Sequence, residues 1–233
     1  MKVKLDLEIL ERNRIIMGLQ YDPRSDIFRM LRTKVLSAMN EGGYSSIAIC
    51  SPLAGAGKTM ISINLAIAMA KVSKTSVILI DLDLRRPSVH QVLGLKPQYG
   101  LLDYLTSEAE FNDVLLKPDI DNLYIVPARG FAVEGRGAAR NSSDLISSQK
   151  MKDTIKHITK NGKNRLIIFD TPPLLLTDDV LSALPYVDST LLVAEDGGNT
   201  EKELRLAQSL LSHTRLIGCV LNKCDNVPQY QYY

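Results

Sequence analysis

The residues with the clearest capacity for chemistry are Ser51–Thr59, SPLAGAGKT, which lie between two apolar runs. Gly55 and Gly57 carry no Cβ, so backbone N–H groups there can close on an anion. A helix starting at this point adds free N–H groups and a partial positive charge. Lys58 is placed to reach the β- and γ-phosphates of a nucleoside triphosphate, and Thr59 to offer its hydroxyl to Mg²⁺. The nucleotide-facing stretch is therefore Gly55, Ala56, Gly57, Lys58, Thr59 and Met60. The strict phosphate-loop pattern asks for glycine five places before Gly57, where Pro52 stands.

Carboxylates follow at two further places. Ser76–Pro87, SVILIDLDLRRP, sets Asp81 and Asp83 at the end of an apolar run. On an extended segment, positions i and i+2 share a face. Two acids there could orient the waters of Mg²⁺ and accept a proton from an attacking hydroxyl. They are equally read as solvated turn residues, where Asp is common. Leu166–Pro173, LIIFDTPP, ends a second run in Asp170, the form of an acid that holds a metal directly or through water. The metal-side candidates are thus Thr59, Asp81 and Asp170; the catalytic candidates are Lys58, Asp81 and Asp83. Asn222-Lys223-Cys224-Asp225 spells N-K-x-D, a guanine-reading pattern, so Asn222 is a candidate base contact and GTP stays open as the nucleotide.

These groups need rigid elements behind them. Continuous apolar runs occur at Ser46–Cys50, Ser76–Asp81, Leu123–Val126, Leu166–Asp170, Thr190–Ala194 and Ile217–Leu221. Such runs suit parallel strands covered on both faces. Helical spacing holds over Met60–Val72, Leu145–Ile158 and Glu201–Leu211. The alternation predicts an α/β fold with a doubly wound, mostly parallel sheet, whose ligands bind at the carboxyl ends of the strands. An extra helix precedes the first strand. Asp22-Pro23 makes its start, Ile27, Leu31, Val35 and Ala38 its apolar stripe, and Gly42-Gly43 its end. Arg129–Ser143 has no periodicity and reads as a loop. The expected organisation is an extension over 1–21, a domain over 22–226 and a tail over 227–233.

Composition narrows the function classes. The chain has 233 residues, 45% hydrophobic and 23% charged, which suits a globular protein with a full core. Its net charge of +2 excludes a polybasic nucleic-acid coat, and no nucleic-acid partner is expected. No apolar stretch is long enough to span a bilayer, and MKVKLDLEILERNR lacks the apolar core of a signal peptide. Three cysteines in a chain this long do not make a disulfide framework, so a reducing, cytoplasmic setting is expected. The three histidines show no paired spacing for a zinc site made by protein ligands alone.

SPLAGAGKT, ILIDLDLRRP and LIIFDTPP together resemble the Walker A, A′ and B motifs of the bacterial tyrosine kinases, over roughly residues 22–226. The resemblance implies a P-loop NTPase of the Min/Par-like type with an extra N-terminal helix. It implies MgATP on Lys58 and Thr59, with Asp81, Asp83 and Asp170 supporting metal and catalysis. Asp81 is the better candidate in this family for activating a tyrosine hydroxyl, although the sequence does not separate it from Asp83. Septum-positioning and partition ATPases carry a second lysine five places before the P-loop lysine; here that place holds Leu53. The family builds rings through an E-x-x-R-x-x-R helix, and Asp26, Arg29 and Arg32 occupy that spacing. Tyr230, Tyr232 and Tyr233 fall within the last four residues, where the family is phosphorylated by a neighbouring subunit.

The resemblance therefore implies an ATP-dependent tyrosine autokinase acting in trans within a homo-oligomeric ring. Its role would be to regulate capsule or exopolysaccharide synthesis and export. The implied partner is the cytosolic segment of a membrane polysaccharide chain-length (co-polymerase) protein, which would recruit the chain to the inner face of the membrane. The alternative is a P-loop ATPase switch that regulates such a partner without kinase activity.

Overall fold

β-Branched and apolar runs form strands wherever both of their faces can be covered. In the computed structural model, which describes residues 1–19, 22–72, 75–129, 142–160 and 165–224, these are β1 (Lys2–Val3), β2 (Ser46–Cys50), β3 (Ser76–Asp81), β4 (Lys117–Pro118), β5 (Leu123–Val126), β6 (Arg165–Asp170), β7 (Ser189–Glu195) and β8 (Arg215–Asn222). The helices are α1 (Leu7–Arg12), α2 (Ser25–Gly42), α3 (Lys58–Ala70), α4 (Val89–Val92), α5 (Leu101–Leu105), α6 (Phe111–Val114), α7 (Ser142–Ile146), α8 (Gln149–Lys160), α9 (Asp179–Ala183) and α10 (Glu201–Leu210). Short 3₁₀ turns occur at Ile16–Gly18 and Leu184–Tyr186.

The main sheet has the order β5-β3-β6-β2-β7-β8, and every neighbouring pair is parallel. The chain leaves β2 for β3 on one side and later reaches β7 on the other, so a crevice opens at the carboxyl end of β2. Register sets Asp81 opposite Asp170 on adjacent strands, and Asp170 opposite Ile49. Strand register thus sets which acids become neighbours. At the other end of the strands, Asp188 Oδ2 accepts from the backbone N–H and the hydroxyl of both Ser45 and Ser46, at 2.8–3.0 Å. That clamp ties the start of β2 to the start of β7.

One face of the sheet is covered by α2, α3 and the N-terminal segment, with Leu10, Ile15, Met39 and Leu65 in a shared core. The opposite core gathers Phe169, Leu102, Ile155 and Leu211. Helix α3 is mostly apolar and buried from Ile61 to Ala70, with Ser62 and Asn64 hydrogen-bonded among its apolar residues, as suits a helix covered on all sides.

Three expectations need correction. Helix α2 begins at Ser25, not at Asp22-Pro23. The Asp22 carboxylate instead accepts from Arg24 N at 2.8 Å and pairs with the Arg24 guanidinium, so it orders the residue before the helix. The buried stripe is Phe28, Val35 and Met39, and Ile27 is 60% exposed; the aromatic ring of Phe28 takes the place that Ile27 was expected to fill. Gly43, at φ +67°, ends the helix as expected. The stretch Leu145–Ile158 is two helices, because Ser148 Oγ accepts from Met151 N at 3.3 Å and starts α8 afresh.

The expected loop overlaps α7 at Ser142 and Ser143, and residues 130–141 lie outside the described ones. The boundary after residue 21 is not a break in packing either. Leu5, Leu10, Ile15, Ile16 and Met17 bury in the same core as α3, and β1 pairs with β4. Buried Asn64 accepts from Met17 N at 3.0 Å and donates to Arg14 O and Met60 O at 2.9 Å. Asn13 Nδ2 donates to Val92 O at 2.7 Å. The tail tyrosines lie outside the described residues. No described helix is long and apolar enough to cross a membrane.

Candidate active site

The loop 51–57 joins β2 to α3, and Lys58 opens the helix. Gly55 and Gly57 both hold φ +89°, a left-handed backbone that glycine adopts without strain. At Gly57 a Cβ would also fall 2.3 Å from Asn222 Nδ2, which donates to Ala56 O at 2.8 Å. The end of β8 therefore buttresses the loop through Asn222. Met60 is half-buried in the first turn of α3.

Lys58 is 8% exposed and lies folded onto its own loop. Its Nζ donates to Ser51 Oγ at 3.0 Å, and Ser51 Oγ donates to Leu53 O at 2.5 Å. Burial holds the ammonium below its ordinary pKa, while the charges of Asp170 and Asp83 pull the other way. Thr59 Oγ1 donates to Asp170 Oδ2 at 2.7 Å, and Ser62 Oγ donates to Asp170 Oδ1 at 2.9 Å. Ser62 stands one helical turn after Thr59, so both hydroxyls reach one carboxylate. Burial pushes the Asp170 carboxyl up to about 6, against the lowering effect of Thr59, Lys58 and Ser62.

Asp81 has no solvent exposure. Its Oδ1 accepts from Asp83 N at 3.0 Å, and its Oδ2 from Ser88 N and Val89 N at 3.1 Å. Burial first, and then the charge of Asp170, push its carboxyl well above the ordinary range. Asp83 is half-buried, and its Oδ1 accepts from Arg86 N at 2.7 Å. The sheet edge thus brings together Lys58, Thr59, Asp81, Asp83 and Asp170, the five polar residues that the three motifs singled out.

Other polar residues beside the motifs sit apart. Arg85 Nε donates to Asp179 Oδ2 and Ser142 Oγ at 3.0 Å, and Ser142 Oγ donates to Asp179 Oδ1 at 2.6 Å. Arg86 is exposed and His90 half-buried. Glu195 pairs with Lys223 at 2.8 Å beside the loop. Asp26 and Arg29 pair with each other on the exposed face of α2, with Arg32 one turn further on. Asp225 of the N-K-x-D pattern lies outside the described residues. Sequence reasoning missed Ser62, Ser88 and Asn64. For Ser62 the signal was its spacing from Thr59; Ser88 and Asn64 gave none, because their partners come from distant segments.

The residues fit a nucleoside triphosphate with Mg²⁺. The cradle is glycine-lined, a lysine stands at its mouth, and a hydroxyl and a carboxylate offer hard oxygen donors. Among the described residues no cluster of three His, Cys, Asp or Glu could hold an ion unaided. That donor set suits Mg²⁺, which leans on substrate phosphates and keeps several waters.

Residues 44–196 match the AAA domain family. AmsA of Erwinia amylovora is 31% identical over 210 residues, which is 89% of this chain. The tyrosine-protein kinase YwqD of Bacillus subtilis is 27% identical over 228 residues, 96% of this chain. The chain belongs to the AAA domain family, among the bacterial tyrosine kinases. This AAA domain has the P-loop NTPase fold. It superposes on the kinase domain of the Escherichia coli tyrosine kinase ETK with a TM-score of 0.77 and 29% identity, covering 91% of this chain and 80% of that one. It spans 27% of the length of AmsA but 92% of YwqD.

Proposed function

We propose that this chain is an ATP-dependent protein-tyrosine kinase that phosphorylates Tyr230, Tyr232 and Tyr233 of a neighbouring copy. The observation that carries the reading is the convergence of Lys58 and Thr59 with three acids from two adjacent strand ends. The names of YwqD and of the ETK kinase domain support it.

The loop amides and the Lys58 ammonium bind the β- and γ-phosphates; Lys58 exchanges Ser51 for a phosphate oxygen as it does so. Thr59 and Asp170 would hold Mg²⁺, with Asp81 behind them. Bound there, Mg²⁺ neutralises phosphate charge that would otherwise repel the attacking oxygen. A phenol has a pKa of about 10, so its proton needs an acceptor at neutral pH. We assign that role to Asp83. Both oxygens of Asp81 already accept backbone N–H groups, whereas Asp83 is half-buried and reaches the solvent side. As the phenol oxygen bonds to the γ-phosphorus, the bond to the ADP oxygen breaks and the phenol proton passes to Asp83.

The face of α2 that carries exposed Asp26 and Arg29 and half-buried Arg32 is assigned to ring assembly. By family resemblance the partner is the cytosolic segment of a membrane polysaccharide chain-length protein, and the process is capsule or exopolysaccharide export. The test is incubation with MgATP and such a segment, followed by mass spectrometry of the terminal peptide. Phosphotyrosine is expected, and Lys58→Met should abolish it. Nucleotide hydrolysis without phosphotyrosine would replace the kinase reading with that of an ATPase switch.

A further inference from the structure

Ser88 is the N-cap residue of α4, yet its hydroxyl makes no capping bond. N-cap serines ordinarily accept from the first amides of their helix. Here the Ser88 and Val89 amides both donate to Asp81 Oδ2. The hydroxyl released from capping lies 2.8 Å from Thr59 Oγ1, across the crevice between the A′ segment and the phosphate loop.

The direction of that bond follows from counting protons. Thr59 Oγ1 carries one hydrogen, which it gives to Asp170 Oδ2 at 2.7 Å. A carboxylate only accepts, so Ser88 donates and Thr59 accepts. Three of the four tetrahedral directions around Thr59 Oγ1 are then taken: by its own carbon, by the proton aimed at Asp170 and by the proton from Ser88. One lone pair remains, with a set direction.

We propose that Ser88 is a positioning residue for the metal-binding hydroxyl, fixing the torsion of Thr59 so that its last lone pair is presented to the Mg²⁺ of a bound nucleotide. The inference rests on the MgATP site proposed above. It gives Asp81 a defined part as well. By holding the Ser88 and Val89 amides, Asp81 sets where the Ser88 hydroxyl stands, and a line of contacts then runs from β3 through α4 and α3 to β6. Metal occupancy and the shape of the A′ segment are coupled along that line.

The experiment is a fluorescence titration with N-methylanthraniloyl-ADP, in Mg²⁺ and in EDTA, on the wild type, Ser88→Ala, Ser88→Thr and Thr59→Ala. Ser88→Ala should weaken binding about threefold to tenfold in Mg²⁺, the worth of one hydrogen bond, and leave binding in EDTA unchanged. Ser88→Thr restores the donor and should restore the Mg²⁺ gain. Thr59→Ala should remove that gain, and adding Ser88→Ala to it should cost nothing more. Equal losses in Mg²⁺ and EDTA, or no loss in either, would overturn the role of Ser88 while the nucleotide site stands. A wild type that binds equally with and without Mg²⁺ sinks the metal role and this inference with it. A wild type with no affinity in either buffer sinks the proposed function itself.

Discussion

Asp81 and Asp83 are two positions apart, yet their surroundings separate their work. Asp81 is an internal anchor whose oxygens take three backbone amides, while Asp83 is only half-buried. Asp83→Asn is expected to lower phosphotyrosine formation by about a hundredfold or more with nucleotide affinity retained, as loss of a general base does. Asp81→Asn sets an NH₂ group against at least one of those amides and is expected to lower both the melting temperature and nucleotide affinity. Calorimetry beside the phosphorylation assay checks the pair.

Asp170 provides a pH test. Burial lifts its carboxyl to about 6, so in the window from about pH 4 to 6 the folded chain keeps a proton that the unfolded chain has released. The stability contributed by this group is full below that window and is lost as pH rises through it. In metal-free buffer Asp170→Asn should therefore melt higher than the wild type at neutral pH by a few degrees, with the gap closing near pH 4. A constant gap across the range would contradict the account. The Gly-Lys-Thr loop and all three acids were legible in sequence because each ends or follows an apolar run. Ser62 was signalled only by its spacing from Thr59, and Ser88 not at all, because its contact with Thr59 depends on which segments become neighbours in space.

At the scale of elements, strands were the most legible part. Ser46–Cys50, Ser76–Asp81 and Leu123–Val126 form with the expected bounds, since runs of buried β-branched residues admit few other uses. The split between α7 and α8 was hidden because the apolar spacing runs on across Ser147 and Ser148, while the break rests on one serine cap. The N-terminal arm was hidden because its apolar residues are interleaved with charges. Packing shows its purpose: it lies against α3 and reaches α4, the two helices that flank the phosphate site. Asn64 joins arm and helix with three hydrogen bonds in a site with no solvent exposure. Asn64→Ala leaves Met17 N and Arg14 O without this partner and should destabilise the fold by about 1–3 kcal/mol, read by urea unfolding. If the arm were merely laid on the surface, the loss would be near zero.

The whole molecule carries a net charge of +2, and three phosphotyrosines would add roughly −5, since each brings about −1.5 to −2. Copies held side by side through Asp26, Arg29 and Arg32 would then repel one another. Wild type treated with MgATP should elute later from a sizing column than Lys58→Met, in proportion to its phosphorylation. Identical profiles with confirmed phosphorylation would rule out charge as the release mechanism.

Because every strand of the main sheet points the same way, the molecule has a working rim and an idle one, about 15–25 Å apart at the rise of an extended chain. The clamp of Asp188 on Ser45 and Ser46 belongs to the idle rim. A dye or biotin coupled near exposed Asp121, at the entry to β5, would leave the pocket turned outward from a sensor chip. Immobilised that way, the protein could be loaded, washed and reloaded with nucleotide without its anchor shading the crevice.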